Sequence, residues 1–230
     1  MYLVTAATDF EMRPFKAHCS PAIKRLELIT GVGLLETSLR LTSFLSTNSQ
    51  KSQQAKQVRA VINFGIGGAY IQEPTEHTPH LLDICLATRE VLGDFGICLA
   101  EEIEPFDPTL FAMENEFVFD QQLREQAMSI MATQQIPVHA GTFVTVNCTT
   151  GTQKRGRQLQ ITHNGLCENM EGAAVARVCR EFDLPCLEIR CISNLVEDRN
   201  PERWRLREAC NRAGQITALI LRHLPIADTF

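Results

Sequence analysis

Apolar residues occur along the chain in two alternating patterns, one typical of buried strands and one typical of helices. Continuous apolar runs, as in strands that are covered on both faces, occupy residues 3–6, 25–30, 60–64, 81–87, 138–146 and 186–192. Helical spacing is found over residues 34–45, 121–133, 172–182 and 201–223. This alternation predicts a three-layer α/β/α fold around a central mixed, mainly parallel, twisted sheet.

Two of the predicted helices carry local start signals. Asp120 stands at an N-cap position, and Pro201 stands at a first-turn position where its missing N–H costs little. Three polar segments, 46–56, 72–80 and 101–110, are predicted to be loops or helix ends. No repeat or linker divides the chain, so we interpret residues 1–230 as a single domain.

Charge and composition exclude several classes of protein. The net charge of −5 gives no general attraction to nucleic acid or to an anionic membrane. No apolar run approaches the roughly 18 residues of a membrane helix, and the N-terminus lacks the basic region of a signal peptide. The nine cysteines are odd in number and form no CxxC pair, which indicates reduced thiols used as small apolar residues rather than a zinc site. We expect a cytoplasmic protein without a metal.

Polar and glycine residues follow the predicted strands, where ligands bind in sheets of this kind. ATDFEM follows the first strand, GIGGAY follows residues 60–64, ENME precedes the helix at 172, and Ser193-Asn194 follows the last strand. GIGGAY lacks the GxGxxG spacing and the later acidic residue of a dinucleotide site, which disfavours an oxidoreductase. Its glycines alone indicate a turn or a close approach to a ligand. Taken singly, Glu11, Glu171 and Asn194 are equally typical of helix surfaces and turns.

Taken together, these segments resemble the purine nucleoside phosphorylase and nucleosidase superfamily. Residues 168–194, ENMEGAAVARVCREFDLPCLEIRCISN, are similar to its signature of a helix that begins at MEG and a strand that ends in RxIS followed by Asp or Asn. VINFGIGGAY is similar to its glycine-rich third-strand turn, and the motifs follow the family's order over nearly the whole chain. LATREVLGDFGI and SNLVEDRNPERW look most like the futalosine hydrolases, which release hypoxanthine from futalosine in a menaquinone pathway.

The resemblance implies a cofactor-free enzyme that binds a small-molecule nucleoside and forms a homo-oligomer, a dimer or higher. It implies that Glu11 orients and deprotonates water, that Glu171 binds the ribose hydroxyls, and that Asn194 hydrogen-bonds the departing base. Phe143 is implied as a ring that stacks on the base, and Arg199 as a partner for a substrate carboxylate. In total, the resemblance implies seven residues that contact the substrate: Gly67, Gly68, Asn169, Met170, Ser193, Phe143 and Arg199.

Two residue choices indicate the substrate and the reaction. Family members that act on 6-aminopurines have Asp at the position of Asn194, whereas the Asn amide can donate to the O6 acceptor of a 6-oxopurine. No Arg adjoins GIGGAY, and Glu11 would repel phosphate, although Arg13 is near. The resemblance therefore implies hydrolysis of futalosine. The alternatives are a methylthioadenosine/adenosylhomocysteine nucleosidase, a purine nucleoside phosphorylase, or a non-catalytic nucleoside-binding protein.

Overall fold

Strands and helices alternate along most of the chain in the computed structural model, which describes residues 1–51, 58–71, 78–99, 102–104, 106–107, 109–110 and 113–225. A short 3-10 helix, Pro201–Arg203, precedes the last α-helix. In chain order the other elements are β1 (Tyr2–Ala6), α1 (Asp9–His18), β2 (Arg25–Ile29), α2 (Gly33–Lys51), β3 (Ala60–Tyr70), β4 (Ile84–Leu92), β5 (Ile97–Leu99), β6 (Glu102–Glu104), β7 (Glu116–Val118), α3 (Gln121–Thr133), β8 (Val138–Thr145), α4 (Gln153–His163), β9 (Gly165–Asn169), α5 (Gly172–Glu181), β10 (Cys186–Val196) and α6 (Leu206–His223).

The main sheet is mixed, and five of its strands close into a ring. β3 pairs in parallel with β1 and β10, and β1 pairs in parallel with β2. β10 then pairs antiparallel with β4, β4 and β9 both pair in parallel with β8, and β9 returns antiparallel to β3. β7 adds an antiparallel edge to β4, while β5 and β6 form a separate hairpin. The predicted α/β fold with a mixed, mainly parallel sheet is confirmed, but the closure was not predicted.

Alternate residues of each central strand pack on opposite faces of the sheet. Val4, Ile62 and Ile189 belong to the core cluster under α1, α3 and α6. Leu3 and Val61 belong to a second cluster under α2 and α5. Seven of the nine cysteines are buried with free thiols, as expected for small apolar residues. In the part of the chain that the structure describes, no helix has the length and apolar character that crossing a membrane requires.

Two strands continue through segments that the sequence had indicated as turns. β3 contains the whole of GIGGAY, because β10 pairs beside it from Val61 to Tyr70 and supplies backbone partners that no local pattern reveals. β10 likewise runs through Ser193 and Asn194, with a shift of register between Ile192 and Asn194. Such an irregularity re-aims the side chains around it. The predictions of a turn at GIGGAY and of a last strand that ends at residue 192 were therefore wrong.

Of the two helix starts predicted from local signals, one is confirmed and one is wrong. The Asp120 carboxylate accepts from the Leu123 amide at 2.7 Å, so the predicted cap of α3 is confirmed. The last helix begins at Leu206 rather than at Pro201, because the Arg205 amide donates to the Ser193 carbonyl of β10 at 2.8 Å and draws the chain out of helical geometry. Helices α1 and α4 and strand β9 were not predicted.

The three polar segments had mixed outcomes. Residues 46–51 form the end of α2, in agreement with the predicted loop or helix end, and residues 78–80 have no regular secondary structure, whereas residues 102–104 form β6 rather than a loop. Residues 52–57, 72–77, 100–101, 105, 108 and 111–112 lie outside the described part of the chain.

Helices α1 and α6 approach so closely that a glycine is required between them. A Cβ at Gly214 would lie 2.5 Å from the Phe15 nitrogen and 2.9 Å from the Pro14 carbonyl carbon, both of which are backbone atoms. Overpacking of this kind costs about 3 kcal/mol. The better helix propensity of alanine returns about 1 kcal/mol. We therefore expect Gly214→Ala to lower the free energy of unfolding by about 2 kcal/mol, measured by urea denaturation.

Gly151→Ala is the matched control, because a Cβ at Gly151 meets no atom within 4 Å. Its free energy of unfolding should stay within about 0.5 kcal/mol of wild type. Equal stability of the two variants would contradict the close packing of α1 on α6.

Candidate active site

A cavity of about 320 Å³ lies where β1, β3, β9 and β10 converge, and it contains most of the predicted site residues. A second cavity, of about 250 Å³ beside α4, contains none of them. The first cavity is lined by Ala7, Thr8, Phe10, Glu11, Val32, Ile66, Gly67, Gly68, Val146, Thr149, Thr150, Glu168, Asn169, Met170, Glu171, Arg190, Ser193, Asn194, Trp204, Leu206 and Cys210. The structure thus brings together eight of the ten predicted residues, all except Phe143 and Arg199.

Glu11 is fixed by the first turn of α1, which is built as a capping box. Its Oε2 accepts from the Thr8 amide at 3.0 Å and from the Thr8 hydroxyl at 2.8 Å, while the Glu11 amide donates back to that hydroxyl. Its Oε1 accepts from the Ile66 amide of β3 at 3.3 Å. The side chain is nearly buried, and this burial raises the pKa of the Glu11 carboxyl despite the opposing charge of Arg190. A carboxylate of raised pKa at the cavity wall is suited to act as a general base.

Glu171 is held against the guanidinium of Arg190, at the N-terminal end of α5. Its Oε1 accepts from the Gly33 amide at 3.1 Å, and its Oε2 faces Arg190 Nη1 at 3.3 Å. The Glu171 amide donates to Asn169 Oδ1 at 2.9 Å. Glu171 makes no side-chain cap bond to its own helix, so its carboxylate is free to point into the cavity rather than to the helix end.

Arg190 joins these carboxylates and is one of the residues that sequence reasoning missed. Only 2% of this side chain is exposed, and it donates from Nε to Glu188 at 2.9 Å and from Nη1 to the Ile66 carbonyl at 3.2 Å. Burial alone would lower the pKa of Arg190, but the charges of Glu188, Glu171 and Glu11 outweigh it and raise that pKa. The available signal was the Arg of RCISN, a charged residue within an otherwise apolar strand.

Gly65 allows the carboxylate and the guanidinium to meet against the backbone of β3. A Cβ at this position would lie 2.6 Å from Glu11 Oε1 and 2.7 Å from Arg190 Nη1. This glycine therefore allows two side chains of the protein to approach a strand closely, a use that was not predicted from the sequence.

The other wall of the cavity presents an amide and a second buried acid. Asn194 Oδ1 accepts from the Ser193 hydroxyl at 2.8 Å, and Asn194 Nδ2 lies 3.0 Å from the position of a Cβ at Gly68. The same position is 3.5 Å from Cγ of Glu168, a residue that was not predicted. Glu168 accepts from the Thr150 amide at 2.8 Å and from the Tyr70 hydroxyl at 3.3 Å. Burial raises the pKa of the Glu168 carboxyl.

The comparison with protein families decides the assignment of this chain. Residues 31–224 match the family model described as the phosphorylase superfamily, which is most of the chain. The chain belongs to the phosphorylase superfamily.

Of three curated relatives, two are futalosine hydrolases by name and one is a nucleosidase by name. The chain is 24% identical to the futalosine hydrolase of Thermus thermophilus over 84% of this chain and 80% of that protein. It is 31% identical to the futalosine hydrolase of Streptomyces coelicolor over 65% of this chain and 59% of that protein. It is 28% identical to the 5′-methylthioadenosine/S-adenosylhomocysteine nucleosidase of Mycobacterium bovis over 50% of this chain and 52% of that protein. The prediction of an enzyme of the nucleosidase class is confirmed.

Solved structures from Helicobacter pylori share the fold of this superfamily. A futalosine hydrolase mutant aligns with a TM-score of 0.81 at 17% identity, over 97% of this chain and 99% of that chain. A mutant methylthioadenosine/adenosylhomocysteine nucleosidase with 5′-methylthioadenosine in its active site aligns with a TM-score of 0.80 at 17% identity, over the same shares.

Two predicted contacts lie outside the cavity of this superfamily member. Phe143 is fully buried within the core cluster under α2 and α5 and does not line the cavity, so the structure gives no support to stacking on a base. Arg199 is exposed on the loop after β10, with its guanidinium 5.6 Å from the ring centre of Trp204. Trp204 does line the cavity, so Arg199 reaches the site only through that ring.

Few of the described side chains near the cavity are cationic and could bind a phosphate. Arg13 is four-fifths exposed and paired with Asp9 on the surface of α1, away from the cavity lining. Among the described residues that line the cavity, Arg190 is the single Arg or Lys. Within the described ranges no cluster of three or more His, Cys, Asp or Glu side chains is arranged to hold a metal ion.

Proposed function

We propose that this protein hydrolyses the N-glycosidic bond of futalosine and releases hypoxanthine and dehypoxanthine futalosine, as a step of menaquinone biosynthesis. The observation that carries the proposal is an Asn amide, rather than an Asp carboxylate, in a cavity that also contains Glu11 and Glu171. The two futalosine hydrolases among the relatives support this substrate. We further propose a cytoplasmic homo-oligomer with one domain over residues 1–230.

The sugar side of the proposed reaction is served by the two acids that flank Arg190. A glycosidic bond breaks through a cation-like sugar, which nearby carboxylates stabilise electrostatically. Glu11 orients a water molecule and takes its proton, because its carboxylate is already held by Thr8 and Ile66 in a fixed direction. Glu171 accepts from the ribose hydroxyls, and Met170 packs on the sugar.

The base side is served by Asn194 and Glu168. The amide of Asn194 donates to O6 of the 6-oxopurine, where an Asp carboxylate would place oxygen against oxygen. Glu168 holds a proton to higher pH than an exposed glutamate does, because it is desolvated. We infer that this proton passes to a ring nitrogen of the departing base, a role that Asn194 cannot fill because its amide does not ionise.

Hydrolysis is favoured over phosphorolysis by the charges at the cavity. The guanidinium of Arg190 is already shared by Glu188 and Glu171 and has little positive charge left to hold a phosphate. The ionised carboxylate of Glu11 would repel a phosphate at the position of the attacking water.

The proposal is tested by incubating the protein with futalosine, 5′-methylthioadenosine and inosine, each with and without phosphate, and measuring free base by chromatography. We expect release of hypoxanthine from futalosine without phosphate and at a higher kcat/KM than release from the other two. Glu11→Gln should lower kcat at least about 100-fold, because a positioned general base contributes 10²–10⁴-fold. A preference for methylthioadenosine would assign the adenine-releasing alternative, and a requirement for phosphate would assign the phosphorylase.

Asn194 should decide which purine is accepted. In Asn194→Asp, the donor to O6 is replaced by an acceptor, which leaves a mismatched polar pair that costs about 1–3 kcal/mol, or about 5- to 150-fold in kcat/KM. We expect the ratio of kcat/KM for futalosine to that for methylthioadenosine to fall by at least about 10-fold. An unchanged ratio would show that this amide does not read the 6-position.

Glu168 should account for the alkaline limb of the pH profile. Because its pKa is raised, the protonated form persists to higher pH, and activity that needs this proton is lost as the pH rises through that pKa. We expect Glu168→Gln to lower kcat about 100-fold and to remove the alkaline limb from the profile of kcat against pH. Glu125→Gln, on the exposed surface of α3, is the control and should leave both unchanged. An alkaline limb that survives in Glu168→Gln would assign the proton to another donor.

A further inference from the structure

Two carboxyl groups that do not line the cavity face each other beneath the start of α5. Glu90 on β4 and Glu188 on β10 are both fully buried. A Cβ added to Gly172 would overlap Glu90 Oε1 and Glu188 Oε2 at once, so these two oxygens lie side by side under the first residue of the helix. A glycine at this position leaves the space that the pair occupies.

The surroundings of Glu188 require a proton on this pair. Glu188 Oε1 accepts from Asn63 Nδ2 at 3.2 Å and from Arg190 Nε and Nη2 at 2.9 and 2.8 Å. Glu188 Oε2 receives no hydrogen bond from any N–H or hydroxyl group in the described part of the chain. The group that faces it is the Glu90 carboxyl, and two buried carboxyl groups this close cannot both be ionised. A single proton between them satisfies the oxygen that otherwise lacks a donor.

The proton belongs on Glu90 rather than on Glu188. Glu188 pairs with the guanidinium of Arg190, which favours its ionised form. Glu90 contacts neutral groups, since Asn169 Nδ2 donates to its Oε1 and the Thr145 hydroxyl donates to its Oε2 at 2.8 Å. Burial and the charge of Glu188 raise the pKa of Glu90 well above its usual value, in agreement with this assignment.

The pair is connected to the cavity through two residues. Asn169 Oδ1 accepts from the amides of Glu171 and Gly172 at 2.9 and 2.7 Å, so the orientation of this side-chain amide is fixed and its NH₂ group must face Glu90. Arg190, held by Glu188, donates to Glu171 Oε2 and to the Ile66 carbonyl. A change at the pair is therefore transmitted to Glu171 through both partners.

We propose that Glu90 and Glu188 form a carboxylic acid–carboxylate pair that positions Asn169 and Arg190, and through them Glu171 and Glu11, for the nucleosidase reaction. Neither residue touches the cavity, so both are positioning residues. The proposal rests on the proposed roles of Glu11 and Glu171, but it does not depend on which purine nucleoside is the substrate.

The two members of the pair differ in charge, which predicts unequal effects of the same isosteric change. Glu90→Gln resembles the protonated acid, because its NH₂ group can donate to Glu188 Oε2, although it loses the hydrogen bond that Glu90 Oε1 accepts from Asn169 Nδ2. Glu188→Gln removes the negative charge that Arg190 faces and leaves a buried guanidinium without its main partner. A misplacement of about 1 Å at the site costs about 100-fold in rate.

The experiment compares Glu90→Gln with Glu188→Gln in the full-length protein. We expect kcat within about 5-fold of wild type for Glu90→Gln and a loss of about 100-fold for Glu188→Gln, with futalosine or whichever nucleoside the wild type cleaves best. Equal losses in the two variants, or a larger loss in Glu90→Gln, would overturn the assignment of the charges.

A second measurement does not need activity or the folding of Glu188→Gln. The infrared difference spectrum of wild type minus Glu90→Gln at neutral pH should contain the carbonyl band of a protonated carboxylic acid. The same band should persist in Glu168→Gln and in Glu11→Gln, each of which removes another buried acid of raised pKa. Absence of the band from the wild-type difference spectrum would show that Glu90 carries no proton. If the wild type cleaves no nucleoside, the proposed function fails, whereas this band still decides the pair.

Discussion

The buried guanidinium of Arg190 is the interaction on which the arrangement of the site depends. An Arg without exposure to water is tolerable only if carboxylates and hydrogen-bond acceptors surround it, because an unpaired buried charge costs several kcal/mol. Here the carboxylates of Glu188 and Glu171 and the carbonyl of Ile66 receive its donors, while Glu11 lies close across Gly65. These groups come from β10, the start of α5, β3 and α1. The charge therefore fixes four separate elements relative to one another.

The path of β3 is a consequence of this requirement. A guanidinium and a carboxylate can meet against a strand only where the strand has no side chain, and Gly65 supplies that position. The strand must continue past the glycine, since Ile66 offers both its amide to Glu11 and its carbonyl to Arg190. The pairing of β10 along β3 stabilises a glycine-rich segment that would not form a strand by its own propensity. The shifted register at Ile192 then brings Ser193 and Asn194 to the cavity.

Sequence reasoning succeeded where the signal is local and failed where a distant partner decides. The cap at Asp120 needs only its own helix, and the segment around Met170 and Glu171 was recognised by resemblance to a family motif. The glycines of GIGGAY indicated a turn or a close approach to a ligand, and no local pattern shows that β10 lies beside this segment. Pro201 satisfies the rule for a helix start, but a hydrogen bond from Arg205 to β10 delays the helix.

Phe143 was placed in the site by analogy, whereas its side chain faces the core. The partners of Arg190 come from four elements, and only their packing reveals that the Arg in RCISN is the centre of the site.

The balance of charge at this centre connects the fold to the chemistry. One guanidinium faces three carboxylates, those of Glu11, Glu171 and Glu188, so the group carries a net charge of −2 when all three are ionised. Glu90 adds no further charge while it holds a proton. An excess of negative charge in a buried site stabilises a sugar that becomes positive as its bond to the base breaks, and it opposes the entry of an anion such as phosphate. Burial raises the pKa of the Glu11 carboxyl, with a smaller contribution from the charge of Glu171, and it outweighs the lowering by Arg190. A desolvated carboxylate of raised pKa accepts a proton from water more readily than an exposed one. The surplus of negative charge thus favours the cationic sugar, burial favours the general base, and Glu188 limits how much of the positive charge of Arg190 reaches either of them.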